Sequence, residues 1–489
     1  MLYKLQILPQ NITLTVAEGT NLLQALRDAG MQPEAPCGGK GTCGKCKVLW
    51  NGEEVLSCHT VIDRDGTVTL PQKQNTVILT SGVEAQVQID GENDYVLAFD
   101  IGTTTVVAYL LEGKTGKQLS KASCLNPQGA FGADVISRIQ HVMTTGTTEL
   151  KDMMVTAMGE LTREAAKKAD IDPTQITLAA VVGNTAMHHL LLGIDPKPLT
   201  IPPYMPNVRE ALEFPAKDFL PIDPEGTVRV LPNIAGFVGA DTVGCMAATR
   251  FDTFEKLTLM IDIGTNGEMV LGDKNRRIAC STAAGPAFEG AKISCGMRGA
   301  AGAVDHVWVE DGAIQYHVIG EGKAEGLCGS GLLDLVACLL ELEEITETGR
   351  MPCKSFRLAD TDVVLTQQDV REVQLAKAAI RAGIELMCQH LNRSVEVIDT
   401  VLLAGAFGNY MDPGSACAIG MIPPCLEDKS RPIGNAAGEG AKLSALNGEE
   451  FTYAQHLAKD TEFLELASMP QFQDSFVDFL SFEEDEDDD

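Results

Sequence analysis

The sequence has no apolar run approaching the roughly 20 residues of a membrane-spanning helix, so no membrane partner is expected. It also lacks a secretory signal: "MLYKLQILPQ" alternates apolar and polar residues, as a strand does, with no charged segment followed by an apolar run. Basic charge is short. There are 38 Lys and Arg against 68 Asp and Glu, a formal net charge of −30, which excludes a nucleic-acid surface built on phosphate contacts. A small polyphosphate remains admissible, since a few backbone amides and a metal ion can hold one locally. What the chain does have is length, apolar content and thiols. With 489 residues and 45% hydrophobic composition it can build about three domains. Fourteen cysteines would cross-link in an oxidising compartment, so a cytoplasmic location is expected.

Four of those cysteines are gathered in one place. "CGGKGTCGKC" and the following "EEVLSCHT" give Cys37, Cys43, Cys46 and Cys58, spaced C-x5-C-x2-C-x11-C. Structural zinc sites more often show two facing C-x2-C pairs; a zinc knuckle or four buried thiols is the plainer alternative. Three close cysteines and one distant one is the ferredoxin arrangement for a [2Fe–2S] cluster. The glycines let the loop turn sharply and point its amides at anionic sulfur. The flanks agree: two alternating strands, then a helix in "TNLLQALRDAG" capped by Thr20 or Asn21 and ended by Gly30. A hairpin around Asn51-Gly52 then carries Cys58 back, and the strand in "DGTVTLPQ" closes the sheet. This order resembles the β-grasp fold of plant-type and adrenodoxin-type ferredoxins. The gap of five matches adrenodoxins, and the gap of eleven is closer to the iron–sulfur subunits of succinate dehydrogenases.

Further along, an apolar strand runs into Asp100 and then Gly102, Thr103 and Thr104 in "FDIGTTTVVAYL". The piece recurs as "IDIGTNGEMVLG", with Asp262, Gly264, Thr265 and Asn266, so D-I-G-T appears twice and indicates a duplicated domain. Each turn can face amides and hydroxyls toward an anion, while each aspartate holds a cation through water. A later strand enters Gly405 and Gly408 in "LLAGAFGNYMD", after a helix with Leu375, Ala379, Ile380, Ile384, Met387 and Leu391 on one face. The amides around Gly329 and Ser330 in "GLCGSGLLDLVA" open another helix and can bind an anion. Asp241, before a helix in "GADTVG", can add a Mg²⁺ contact through water. The adjacent His188 and His189 point to different sides of a helix and make a poor metal pair, so a capped helix after Asn184 is the better reading.

The two hairpins resemble the paired phosphate loops of the ASKHA superfamily, which holds acetate and sugar kinases, Hsp70 chaperones and actin. A ferredoxin domain ahead of such an ATPase looks like the reductive activators of corrinoid-dependent enzymes. The stretches "NPQGAFGADVISRI", "VVGNTAMHHLLLG", "AAGPAFEGAKISCGMRG" and "GLCGSGLLDL" are similar to that family's motifs, as are both D-I-G-T segments. The resemblance implies an α+β and α/β multidomain chain. Its parts would be a β-grasp [2Fe–2S] domain at 1–71, a linker at 72–92 with room for an extra strand or two that lets this domain reach, RNase H-like halves at 93–256 and 257–480, and a disordered acidic tail at 481–489. It also implies ATP-dependent, one-electron reduction of Co(II) to Co(I) on a corrinoid protein. Cys37, Cys43, Cys46 and Cys58 would hold the cluster, and Asp100 and Asp262 would act on Mg²⁺. The glycines, Thr103, Thr104, Thr265, Asn266 and Ser330 named above would bind ATP. A ferredoxin, flavodoxin or reductase would supply electrons, and a homodimer is a family expectation. The rival readings are another ATP-coupled electron donor, a small-molecule kinase with a redox sensor, and a redox-sensing binding protein without turnover.

Overall fold

Alternation in the first 70 residues builds a five-stranded sheet, in the order Ile12–Ala17, Leu2–Leu8, Gly66–Thr69, Lys47–Trp50, Glu53–Leu56. Leu2–Leu8 runs parallel to Gly66–Thr69, and the other neighbours are antiparallel. The helix Leu22–Asp28 lays Leu22, Ala25 and Leu26 on this sheet against Leu5, Ile7, Trp50 and Val68, the β-grasp arrangement. Asn21 caps it by accepting from the Gln24 amide. Asn51 and Gly52, at φ 52° and 90°, make the tight primed turn that their sequence calls for. The computed structural model describes residues 1–29, 31, 46–70, 76–80, 84–132, 134–264, 266–285, 287–290 and 292–482, with backbone alone for 76–80 and 84–86. Gly30, Cys37, Cys43, Thr265 and the acidic tail from residue 483 lie outside the described residues. The chain divides into two units, Met1–Thr76 and Val77–Asp489.

The second unit contains the duplication that the repeated D-I-G-T announces. Its first sheet runs Gln118–Leu125, Thr105–Glu112, Tyr95–Ile101, Ile176–Gly183, Thr227–Val230, Leu212–Pro215. The second sheet carries Arg277–Thr282, Gly267–Gly272, Thr258–Ile263, Thr400–Ala404 and Ser430–Gly434 in that order, with Glu462–Phe463 added at the first edge. In both, three strands meander antiparallel, and a fourth and a fifth follow parallel to the first. This is the RNase H-like order, twice. Helices cover both faces, so the central strands read as near-continuous apolar runs. In Thr258–Ile263 only Asp262 escapes full burial. In Tyr95–Ile101 only Tyr95 and Asp100 do.

After its fifth strand each half sends out a small-residue helix, Ala240–Thr249 and Ala436–Leu446, and the two pack on each other. Both carry a glycine at their fifth position. A Cβ on Gly440 would sit 2.2 Å from the Gly244 carbonyl oxygen, and one on Gly244 would sit 2.9 Å from that of Ala437. Glycine is there because two backbones touch. Around this crossing one apolar core draws on both sheets, with Val96, Val182, Met260 and Leu402.

The linker stretch, with its room for an extra strand or two, carries strands at Thr76–Thr80 and Glu84–Gln88; two other local expectations, on Leu375 and on the start of the tail, meet a different outcome. Val87 is buried in the shared core, and the Asn447 amide donates to the Gln88 carbonyl at 2.6 Å. Leu375, assigned to the buried face of the helix Gln367–His390, is 43% exposed, whereas Ala379, Ile380, Ile384 and Met387 are buried. Ser481 and Phe482, assigned to the tail, are held by Lys377, which donates to the Ser481 carbonyl and lies 5.4 Å over the Phe482 ring.

The crossing makes one stability prediction. Gly440→Ala forces a methyl into a backbone carbonyl, an overpacking that typically costs about 1–3 kcal/mol. Calorimetry should show the second unit melting several degrees lower while the transition of the first unit is unchanged. A native midpoint would show that the helices do not cross this closely.

Candidate functional site

Two sites are built by this fold. In the first unit, Cys46 precedes the strand Lys47–Trp50 and Cys58 sits in the short turn Ser57–His59. Their Sγ atoms are 3.2 Å apart, close enough to ligate one metal. The turn is pinned where it must be: Ser57 N–H donates to the Cys46 carbonyl at 2.8 Å, and the Asn21 amide to the Cys58 carbonyl at 2.8 Å. Burial pushes the Cys46 thiol up, but hydrogen bonds from the Cys58 backbone and side chain and from Ser57 outweigh it and leave it below the ordinary thiol value. A thiol that ionises readily is what a metal–sulfur centre requires. These two donors fit the expected cluster.

The second site lies where the two sheets present their D-I-G-T turns. In the first turn, Gly102 N–H donates to the Thr105 carbonyl at 2.9 Å. The turn's carbonyls are occupied from behind. Asn126 donates its side-chain amide to Gly102 and its backbone N–H to Thr104, at 2.8 and 2.9 Å. Arg138, 1% exposed, donates to the Thr103 carbonyl at 2.6 Å and to the Gly132 carbonyl at 2.9 Å. Burial presses its guanidinium down to about 10, partly offset by Asp134 and Glu289. Asn184 donates to the Thr103 hydroxyl at 2.9 Å while capping its own helix, Thr185–Leu192. With those carbonyls engaged and the Gly102 N–H spent on closing the turn, Thr103 and Thr104 are the residues whose amides can face an anion, as in a phosphate nest.

The second turn is closed by Gly264 N–H donating to the Asn266 carbonyl at 2.9 Å. Beside it, the strand Thr400–Ala404 ends in Gly405 at φ +81°, where a Cβ would lie 2.3 Å from Asp262 Oδ1. The glycine motif therefore abuts the aspartate. Gly408 lies close against the Leu403 backbone. The Phe407 ring stacks on Phe288, centroids 4.8 Å apart, and Gly329 fits against that pair. Ser330 is 3% exposed and its hydroxyl donates to the Asp305 carbonyl at 2.7 Å.

Carboxylates from both halves interact here. Burial raises Asp100, opposed by the Asn435 amide, which donates to its Oδ2 at 2.8 Å. Burial, opposed by the Thr242 amide and reinforced by Asp100, puts Asp241 at about 6. Burial together with Asp241, Asp100 and Glu289 raises Asp262 to about 7. Glu268 is held well above its ordinary value, by burial first and then by Asp241 and Asp262. So many mutually repelling acids favour a cation among them. Among the described residues no three acidic, Cys or His side chains converge to ligate a metal directly.

Sequence reading singled out Asp100, Asp241, Asp262 and Gly405, and the fold brings them together. It did not find Asn126, Arg138, Asn184, Glu268, Glu289 or Asn435 as site residues. His188 and His189 lie on the capped helix, both buried. His189 bonds the Thr185 carbonyl through Nδ1 and accepts from the Asn207 amide through Nε2. Burial, and then His189, push His188 down to about 3.

Comparison with known proteins agrees with this fold. Three family models match: a 2Fe-2S iron-sulfur cluster binding domain over residues 5–70, the RACo middle region over 95–253, and the C-terminal ASKHA domain of RACo over 256–488. The corrinoid activation enzyme RamQ of Eubacterium limosum is 38% identical over 413 residues, covering 78% of this chain and 69% of that protein. The [Co(II) methylated amine-specific corrinoid protein] reductase of Methanosarcina barkeri is 26% identical over 422 residues, covering 79% and 77%. The solved structure of a reductive activator for corrinoid, iron-sulfur protein superposes with a TM-score of 0.74 at 28% identity, covering 98% of each chain. With a ferredoxin-type domain, a duplicated ASKHA fold and these relatives, the chain belongs to the family of reductive activators of corrinoid-dependent enzymes.

Proposed function

We propose that this protein couples ATP hydrolysis to one-electron reduction of a corrinoid protein from Co(II) to Co(I). One observation carries the reading: a sulfur site suited to electron transfer and a two-loop carboxylate cleft suited to Mg-ATP occur in one chain of this family. A [2Fe–2S] cluster held by Cys37, Cys43, Cys46 and Cys58 would supply single electrons, matching a one-electron metal step. Co(I) is a strong reductant, so the transfer runs uphill at about 2.3 kcal/mol per 100 mV. Two levers are available to the chain. It can bind the Co(II) partner more tightly than the Co(I) partner, which shifts the equilibrium by the ratio of affinities. It can also use nucleotide to change the separation of its two halves.

In this reading Gly102 and Gly264 shape the two turns, their N–H groups closing each turn on the Thr105 and Asn266 carbonyls, the hydroxyls of Thr103 and Thr265 grip the phosphates from opposite halves, and Thr104 lines the first loop beside them. Asn266 supports the second loop. Asp100 and Asp262 orient Mg²⁺ through its waters. Gly405 and Gly408 lie along the adenosine, and the helix N-terminus at Gly329 and Ser330 backs that wall. A ferredoxin, flavodoxin or reductase delivers electrons, and the protein works as a homodimer in the cytoplasm. None of the twelve cysteines among the described residues forms a disulfide, which suits a reducing compartment. No described helix is long and apolar enough to cross a membrane.

The two sites should fail independently. Cys46→Ser should bleach the visible spectrum and remove labile sulfide while ATP turnover persists. Asp262→Asn should leave the spectrum intact and cut ATP turnover by about 100-fold or more, the usual scale for losing a metal-orienting charge. If Asp262→Asn hydrolyses ATP at the native rate, the cleft is wrongly assigned; if native protein carries zinc and no sulfide, the cluster is.

Selective binding is the second expectation. Calorimetric titration should find at least about tenfold tighter binding of the Co(II) than of the Co(I) corrinoid protein, about 1.4 kcal/mol of driving force. Equal affinities would remove that lever.

A further inference from the structure

We propose that Glu289 is the carboxylate that orients and deprotonates the attacking water in ATP hydrolysis, an inference that rests on the ATP reading above. The observation is its place between the two turns. The Thr104 hydroxyl, from the first half, donates to Glu289 Oε2 at 2.8 Å. On the other side, Glu289 Oε1 lies 3.6 Å from where a Cβ on Gly264 would stand, in the turn of the second half. A terminal phosphate gripped by both turns would therefore have this carboxylate beside it.

The other acids sit differently. Asp100 and Asp262 emerge from the ends of the central strands, and Glu268 faces Asp262 in the sheet register. Asp241 is in the first turn of the crossing helix. Glu289 reaches the turns from a separate element, the single-turn segment Ala287–Glu289. That segment is anchored on both sides. Phe288 is buried and stacks on Phe407 of the glycine motif. Gly290 follows at φ +79°, where any side chain would strike the Met297 backbone. The side chain is half-buried, so it can meet water. Arg138, behind the first turn, lies near enough for its positive charge to interact with Glu289.

The step balances without further reagents. The water oxygen bonds to the γ-phosphorus. The bond from that phosphorus to the β–γ bridging oxygen breaks, and ADP leaves with the electron pair. The water proton passes to the Glu289 carboxylate and then to solvent. Thr104 and Glu289 belong to opposite halves, so the base is held in line only when the halves are closed, and hydrolysis waits on closure.

The test uses the full chain, with ATP turnover and ATP affinity measured separately. Glu289→Gln still accepts the Thr104 hydrogen bond but takes no proton. Its kcat should fall about 100-fold or more, within the range for general-base loss, while ATP affinity stays within about threefold of native. Glu289→Ala should show the same kinetic defect. Glu289→Gln turning over at the native rate would overturn the proposal. So would a loss of ATP affinity as large as the loss of rate, which would mark Glu289 as a latch between the halves. A native chain with no ATP turnover at all would instead overturn the functional reading on which the proposal stands.

Discussion

The backbone contact between Gly244 and Gly440 is the constraint on which the cleft depends. It lets the two crossing helices meet without side chains between them. Because the helices are so close, the start of each lies against the other half's central strand. Asn435, at the N-cap of the second helix, donates to Asp100 of the first half. Asp241, in the first turn of the first helix, adds to the burial that raises Asp262 of the second half. The carboxylates therefore converge because the helices do. A methyl at the crossing would push both helix starts outward together.

A buried polar chain continues from that point. The Asn435 amide also reaches the Tyr109 hydroxyl at 3.1 Å, and the Lys442 ammonium lies 4.1 Å over the Tyr109 ring. Lys442 is bonded to Glu439 at 2.6 Å, and both are nearly buried on the crossing helix. A buried, hydrogen-bonded ion pair of this kind fixes geometry more than it adds stability. Its effect here is to lock one helix register onto the strand that carries Asp100. Any rotation of the halves about the crossing must move this group as a unit.

The fold was legible where the chemistry is local. Cysteine spacing, alternating strands, the Asn51-Gly52 turn and the Asn21 and Asn184 caps are written within a few residues of one another. The repeated D-I-G-T gave away the duplication because each copy is a continuous strand–turn–strand. The cross-cleft partners were not legible. Thr104 and Glu289 are 185 residues apart, and Asn435 and Asp100 are 335 apart. No local pattern marks a glutamate after "AAGPAF" or an asparagine before "AAGEG" as reaching the opposite half. The fate of Leu375 has the same root: its apolar character is local, but which side of the long helix is covered depends on what packs there.

The central claim is that nucleotide makes an uphill electron step proceed. The most direct measurement is anaerobic visible spectroscopy of the reduced protein mixed with a Co(II) corrinoid protein, before and after adding Mg-ATP. The account predicts negligible or slow Co(I) formation before addition and rapid, stoichiometric formation after it, with a non-hydrolysable analogue failing to sustain repeated turnover. Co(I) appearing at the same rate and extent without nucleotide, or not appearing with it, would contradict the account.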